Sequence, residues 1–239
     1  MVLAEHLGDR KSRGALMLVA RAVGGLVFLL TVLGVALLWP AGTTAWWPAW
    51  AFIAVFGGMS AATTIDLYFR DPALLERRTH VGPIAETRPR QKLVQSLVLV
   101  AFLGCFVLPG LDVRWHGVTW PAAVSIAGDV LVAAGLGFVW RVFHENSYAS
   151  STVEIAADQR VIDTGPYAFV RHPMYTGAIV LVVGIPLALG SWWGYAGVVG
   201  VIVAIVVRIF DEEQALVTEL PGYDAYRERV RYRLVPRIW

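Results

Sequence analysis

Two polar stretches flank Pro173–Val207, a run of 35 residues without a charge. The first is Thr164-Gly165-Pro166-Tyr167, followed by Arg171-His172-Pro173-Met174-Tyr175. The second begins at Arg208, continues through Asp211-Glu212-Glu213, and is followed by Tyr223-Asp224-Ala225-Tyr226. Guanidinium groups grip carboxylates and phosphates through paired hydrogen bonds. An imidazole titrates near neutral pH, and a carboxylate can act as a base or complement a positive ligand. Set beside so long an apolar run, these groups are expected to hold something polar next to lipid.

The elements that must position them are membrane helices. The chain is 57% hydrophobic and only 16% charged, with a mean hydropathy of +0.60. Its apolar residues come in blocks too long for a soluble core. Ala22–Trp39, Trp46–Ile65 and Leu93–Leu111 are 18, 20 and 19 residues without a charge. Trp115–Trp140 carries only His116 at its edge and Asp129. About 20 apolar residues span the hydrocarbon core as a helix, and only a helix satisfies its own backbone there. The expected fold is all-α: a polytopic transmembrane bundle of about six helices, the last two a short hairpin. Residues 1–239 form one membrane domain, with four helices in 1–143 and the catalytic and cofactor-binding region in 144–239. The first block is too long for a signal peptide and is read as a retained span.

Orientation follows from charge. Of the 20 basic residues, 19 fall on one side of this arrangement, Arg114 being the exception. The positive-inside rule makes that side cytoplasmic, along with both termini. Trp39, Trp46, Trp47, Trp50, Trp115, Trp120, Trp192 and Trp193 collect at the opposite ends and read as an interfacial belt.

The 35-residue run is short for two full spans. Gly190-Ser191-Trp192-Trp193-Gly194 splits it into two short arms, which reads as a helical hairpin whose arms are completed by flanking polar residues or which stops short of the far face. Its closure would bring Arg171-His172 beside Arg208, Asp211, Glu212 and Glu213. Short β-branched runs at Thr152–Ile155 and Arg160–Asp163 suggest a small extended pair. Asp71-Pro72 could start a surface helix. Arg141, His144, Glu145 and Asn146 follow the fourth span and could approach the site from the other side. The single cysteine, Cys105, lies within a span and reads as a buried inert thiol. The five histidines have no metal-ligand spacing, so no metal is expected.

Plainer roles exist for each group. Arg171 could anchor at the interface, His172-Pro173 could start a helix, and Glu212-Glu213 could be a solvated face paired with Arg208. Tyr223 and Tyr226 could simply pack. Arg227, Arg229, Arg231 and Arg233 could rest on acidic headgroups. Asp129 is either functional or close to the outer headgroups.

Taken together, residues Thr164–Gly177 and Arg208–Tyr226 resemble the isoprenylcysteine carboxyl methyltransferase family and its phospholipid methyltransferase relatives. The resemblance rests on Gly165-Pro166-Tyr167, Arg171-His172-Pro173-Met174-Tyr175-Thr176-Gly177, Arg208, Glu212-Glu213, Leu216 and Tyr223-Asp224-Ala225-Tyr226, in that order. It implies methyl transfer from S-adenosylmethionine to a lipophilic acceptor. Gly165, Pro166, Tyr167, Arg171, His172, Pro173, Tyr175 and Glu212 are then expected to line the cofactor pocket. Arg208 and Glu213 match the family's essential arginine and glutamate, and Arg208, Tyr223 and Tyr226 would face the acceptor. The glycine-rich loop of soluble methyltransferases is absent, since Gly135-Leu136-Gly137 lies within a span.

The implied acceptor is the carboxylate of an isoprenylcysteine-like molecule, although the residues leave oxygen, nitrogen and sulfur acceptors open. The expected partners are a lipophilic or prenylated substrate and membrane lipids, with no nucleic acid. The expected location is a bacterial plasma membrane, with the site facing the cytoplasm. Two other classes are kept open: an NADPH-dependent membrane reductase of the sterol reductase kind, and a non-enzymatic transporter or scaffold.

Overall fold

The structure is a computed structural model that describes residues 2–79, 89–117, 120–149 and 159–239. The described residues form helices and connecting turns, with no strand among them. The helices are α1 (Val2–Ala41), α2 (Trp47–Arg70), α3 (Pro72–Thr79), α4 (Pro89–His116), α5 (Ala122–Glu145), α6 (Pro173–Leu189), α7 (Gly194–Glu219) and α8 (Tyr223–Arg229). Five are long and apolar enough to cross a membrane: Leu16–Ala41 of α1, α2, Lys92–His116 of α4, α5 and α7. The protein is therefore a multi-pass membrane protein.

The two arms of the hairpin follow different alternatives, one stopping short and the other completed by flanking polar residues. Helix α6 has 17 residues, about 25 Å of rise, and is shorter than a full span. Helix α7 is not short. It runs unbroken for 26 residues, because Arg208–Glu219 continue the helix beyond the apolar run. The turn lies where the glycines and tryptophans place it, with Gly190 in the left-handed conformation at φ 68°. The arms are also splayed, since α6 packs chiefly on α5 and α7 chiefly on α4.

Glycines make the α5–α6 contact close. A Cβ on Gly128 would stand 2.0 Å from the backbone nitrogen of Ala188, and one on Gly135 would stand 2.5 Å from that of Leu181. Gly177 and Gly184 face α5 with the same seven-residue spacing. Lipid offers helices little hydrophobic reason to associate, so close backbone approach and dispersion contacts must hold them.

Each end of the bundle is tied by polar contacts. At one end Ser191 donates to Asp112 Oδ2 at 2.7 Å, and His116 Nδ1 meets Asp112 Oδ1 at 2.8 Å. Trp120 and Trp192 pack there with ring centroids 4.8 Å apart. At the other end Asp66 accepts from Trp140 Nε1 at 2.9 Å and meets Arg70 and His144. Helix α3 begins at the expected place, with Asp71 Oδ1 accepting the Leu74 amide at 2.9 Å.

Three expectations change. Trp46 is not a belt residue: it is buried in the core beside Leu37, Ala49 and Phe52. The fourth span starts at Ala122, after Pro121, rather than at Trp115. That places Asp129 in its second turn, where its side chain is buried against the protein, with Oδ1 unpartnered among the described residues. The extended pair lies mostly outside the described residues, and 159–163 are not strand. Cys105 is fully buried.

Replacing Gly128 with leucine is expected to force α5 and α6 apart and cost about 1–3 kcal/mol. Thermal unfolding of the purified protein in neutral detergent checks this. An unchanged midpoint would show that the contact is not as close as described.

Candidate active site

The site is built around the carboxylate of Glu213. Glu213 lies on α7 and is 5% exposed. Arg171 Nε donates to its Oε1 at 2.7 Å, and His172 Nε2 approaches the same oxygen at 3.3 Å. Arg233 grips Oε2 through Nε at 3.0 Å and Nη2 at 2.9 Å. Burying a carboxylate is costly unless paired charges and hydrogen bonds replace water. Here three side chains from two separate segments do so.

The tail supplies one wall that the sequence did not suggest. Residues 230–239 cross the start of α6. The Arg171 amide donates to Tyr232 O and the His172 amide to Arg233 O, both at 2.9 Å. Arg171 Nη1 donates to the carbonyls of Val230 and Arg231 at 2.8 and 2.9 Å. Thr176 Oγ1 donates to Leu234 O at 2.8 Å. The guanidinium of Arg233 lies 5.2 Å from the Phe210 ring and 5.4 Å from Trp239. Arg171 is thus an internal tie rather than a headgroup anchor. Arg233 also separates from Arg227 and Arg229, which pair with Asp224 and Asp163 at the surface.

Tyr175 connects this base to the rest of the site. Its hydroxyl donates to Glu212 Oε2 at 2.8 Å and accepts from Arg208 Nε at 2.8 Å. Tyr175 is one turn into α6, so its ring reaches α7 just where Arg208 and Glu212 share a face at i and i+4. Pro173 starts α6, with its ring at a position that needs no donor.

On the Glu212 side of Tyr175 lies a cleft. Its polar wall includes Asn146, Gln159, Tyr167, His172, Glu212 and Tyr223. Met174, Ala215, Leu216 and Leu220 supply apolar surface. Asn146 Nδ2 donates to Tyr167 OH at 2.8 Å, and Tyr226 OH donates to Tyr167 O at 2.8 Å. Tyr223 is 4% exposed, yet its hydroxyl has no partner among the described residues. Burial pushes the Tyr167 phenol up to about 12 and also raises Tyr223 and Tyr226, so all three are neutral donors at physiological pH.

The expected site residues therefore separate by role. Arg171, His172, Tyr167, Tyr175, Glu212, Tyr223 and Tyr226 line the cleft. Gly165, Pro166 and Pro173 are not among its lining residues: the first two begin the turn Gly165–Ala168 that carries Tyr167, and Pro173 starts α6. Gly165 has φ +56°, and a Cβ there would meet Glu145 Oε2 at 2.5 Å. Glu145 also accepts from Thr164 and Arg141, while His144 turns to Asp66, so only Asn146 of that group reaches the cleft. Arg208 lies beyond Tyr175 and is not a cleft residue. Glu213 pairs with Arg171, His172 and Arg233. Among the described residues no cluster of three His, Cys, Asp or Glu could hold a metal.

Comparison with known proteins bears on the same region. Residues 123–220, which run from α5 to the end of α7, match the family model described as Phospholipid methyltransferase. That segment contains the cleft's α6 and α7 walls, and over it the chain carries a membrane-methyltransferase pattern. No curated protein matches significantly. Among solved structures, the chain is similar to the eukaryotic intramembrane Ras methyltransferase ICMT, with a TM-score of 0.49 and 18% identity over 95% of this chain and 86% of that one.

Replacing Glu213 with glutamine is expected to lower stability by about 3–5 kcal/mol, because two arginines lose a buried counter-charge. Glu212→Gln leaves the caged carboxylate intact and should shift the unfolding midpoint little. Equal midpoints for wild type and Glu213→Gln would show that the cage contributes nothing. In the alkaline range, the raised phenol of Tyr167 contributes stability that is complete below pH 10 and declines between about pH 10 and 12. Replacing Tyr167 with phenylalanine should weaken that decline in a pH series of unfolding midpoints. An unaltered pH profile would remove Tyr167 as a contributor.

Proposed function

We propose that this membrane methyltransferase transfers the methyl group of S-adenosylmethionine to a carboxylate on a lipophilic acceptor, of which an isoprenylcysteine is the nearest chemical type. One observation carries the reading. The Tyr175 hydroxyl stands between Glu212, which lines a polar cleft, and Arg208, which does not. A nucleoside site and an acid site thus meet at one phenol.

The cleft residues fit the cofactor. The buried Tyr223 hydroxyl, unpartnered among the described residues, needs an acceptor, which a ligand carboxylate or ring nitrogen would supply. Glu212 offers an acceptor for a ribose diol or an amine, and Asn146 and Gln159 offer amides. Ala215, Leu216 and Met174 offer apolar surface for a base. When bound, S-adenosylmethionine supplies an electrophilic methyl group on a positively charged sulfur.

The protein's own contribution is alignment and charge. Arg208 is placed to hold the acceptor's carboxylate, with its Nε already fixed by Tyr175. The attacking oxygen gains the methyl group, and the electron pair of the broken carbon–sulfur bond stays on sulfur. No proton has to move, so no base is required. This agrees with the carboxylates present, since Glu213 is neutralised by its cage and Glu212 accepts a hydrogen bond from the Tyr175 hydroxyl. Catalysis then comes from orientation and exclusion of water. The excess of basic residues on the site's side supports a cytoplasmic orientation, and the Ala/Val/Gly/Arg-rich composition supports a bacterial plasma membrane.

Titration calorimetry with S-adenosylhomocysteine and with NADPH tests the cofactor. Binding of the first alone is expected, and binding of NADPH alone would replace this reading with a reductase. Transfer of labelled methyl to a total lipid extract tests the reaction. Arg208→Ala should reduce labelling at least about tenfold, since a charge-assisted hydrogen bond contributes about 1.5–3 kcal/mol. Wild-type labelling by that variant would remove Arg208 from the acceptor site.

A further inference from the structure

The tail that braces the Glu213 cage also has an outer face, which the function proposed above does not use. The amides of Arg233, Leu234 and Val235 all donate to Trp239 O, at 2.9, 2.9 and 3.1 Å, so residues 233–239 close into a compact loop. Arg237 turns that loop in the left-handed conformation, at φ 68°, as no other non-glycine does among the described residues. Glycine or asparagine would adopt this conformation at less cost, so an arginine there points to a use for its guanidinium. Leu234 is buried, and Arg233 and Trp239 pack on the Phe210 ring. Tyr232, Val235 and Ile238 are exposed, Ile238 to 80%, as are Arg231 and Arg237.

Phe210 fixes where the loop lies relative to lipid. On α7 the exposed apolar residues Val199, Val203 and Phe210 sit at i, i+4 and i+11, on one face of the helix. An exposed apolar face on a membrane helix meets lipid. Phe210 is the last member of that face and stands just past the end of the uncharged run at Val207. Its ring lies 6.0 Å from that of Trp239, so the loop begins where the lipid face of α7 ends. Apolar side chains and guanidiniums together suit this level, the boundary between acyl chains and headgroups.

Charge selects the lipid. Residues 230–239 carry three arginines and no acidic side chain. Arg233 turns inward to Glu213. Arg231 and Arg237 have no carboxylate partner among the described residues, whereas Arg227 and Arg229 pair with Asp224 and Asp163. We propose that residues 231–239 form a binding surface for anionic lipid, with Tyr232, Val235 and Ile238 in the headgroup–acyl boundary and Arg231 and Arg237 on the lipid phosphates. The inference does not depend on methyl transfer. Its consequence for the site is positional. The loop that rests on lipid also carries Arg233 to Glu213, so lipid contact sets the height of the cage relative to the headgroups.

The test places single copies of the full chain in nanodiscs of equal parts phosphatidylcholine and phosphatidylglycerol. Both lipids carry a photoactivatable group near the headgroup and differ in mass, and cross-linked peptides are mapped after illumination. The loop should be labelled, with phosphatidylglycerol favoured about tenfold. The Val199–Val203 face serves as the reference, and Arg231→Gln combined with Arg237→Gln should bring the loop's lipid ratio down to that of this face. An unlabelled loop, equal labelling by the two lipids, or an unchanged preference in the double variant would each overturn the proposal. A nitroxide on Ile238→Cys gives a second reading that needs neither arginine substitution. Cys105 is fully buried and stays in place. Oxygen should reach this label more readily than a water-soluble nickel chelate does, and the accessibility of a free nitroxide in water would overturn the proposal. Spin–spin broadening in discs that hold two chains would show a second copy covering this face and overturn it as well.

Discussion

The Glu213 carboxylate and its three partners are the constraint on which the site depends. One buried anion holds the start of α6, through Arg171 and His172, against α7 and against the tail, through Arg233. Backbone and side-chain bonds also tie the tail to the start of α6, whereas α6 and α7 pack mainly on other helices, so this carboxylate is the polar link that joins all three segments. A buried ion pair adds little net stability compared with an apolar replacement, but breaking one side of it is costly. Its value here is geometric. It fixes the height of α6 against α7, which decides whether Tyr175 meets Arg208 and Glu212.

That register divides the work. Glu212, on one side of the Tyr175 hydroxyl, lines the cleft, and Arg208, on the other, lies outside it. Under the proposed function, two ligands of different solubility meet at this one hydroxyl. The same arrangement explains why a glutamate beside the reactive centre need not be a base. A carboxylate already shared by two arginines and a histidine has little left with which to take a proton.

Much of this was legible in the sequence, for reasons that are physical. Apolar blocks of membrane length dictate helices, and glycines with paired tryptophans dictate the turn at 190–194. Closure of that turn predicts the meeting of Arg171-His172 with Glu213, which occurs at 2.7 and 3.3 Å. What was not legible depends on contacts distant in sequence. Trp46 has the composition of a belt residue, and only packing against Phe52 places it inside. The tail strap and the Asp112–Ser191 tie use backbone carbonyls and single side chains that carry no pattern.

Tyr175 is the most direct test of the account, since both halves of the site converge on its hydroxyl. The measurement is single-turnover methyl transfer in proteoliposomes by Tyr175→Phe, alongside its affinity for S-adenosylhomocysteine. Losing hydrogen bonds to two charged groups should slow transfer about 10–100-fold while nucleoside affinity changes much less. Transfer at the wild-type rate by Tyr175→Phe would contradict the claim that this phenol joins the cofactor cleft to the acceptor arginine.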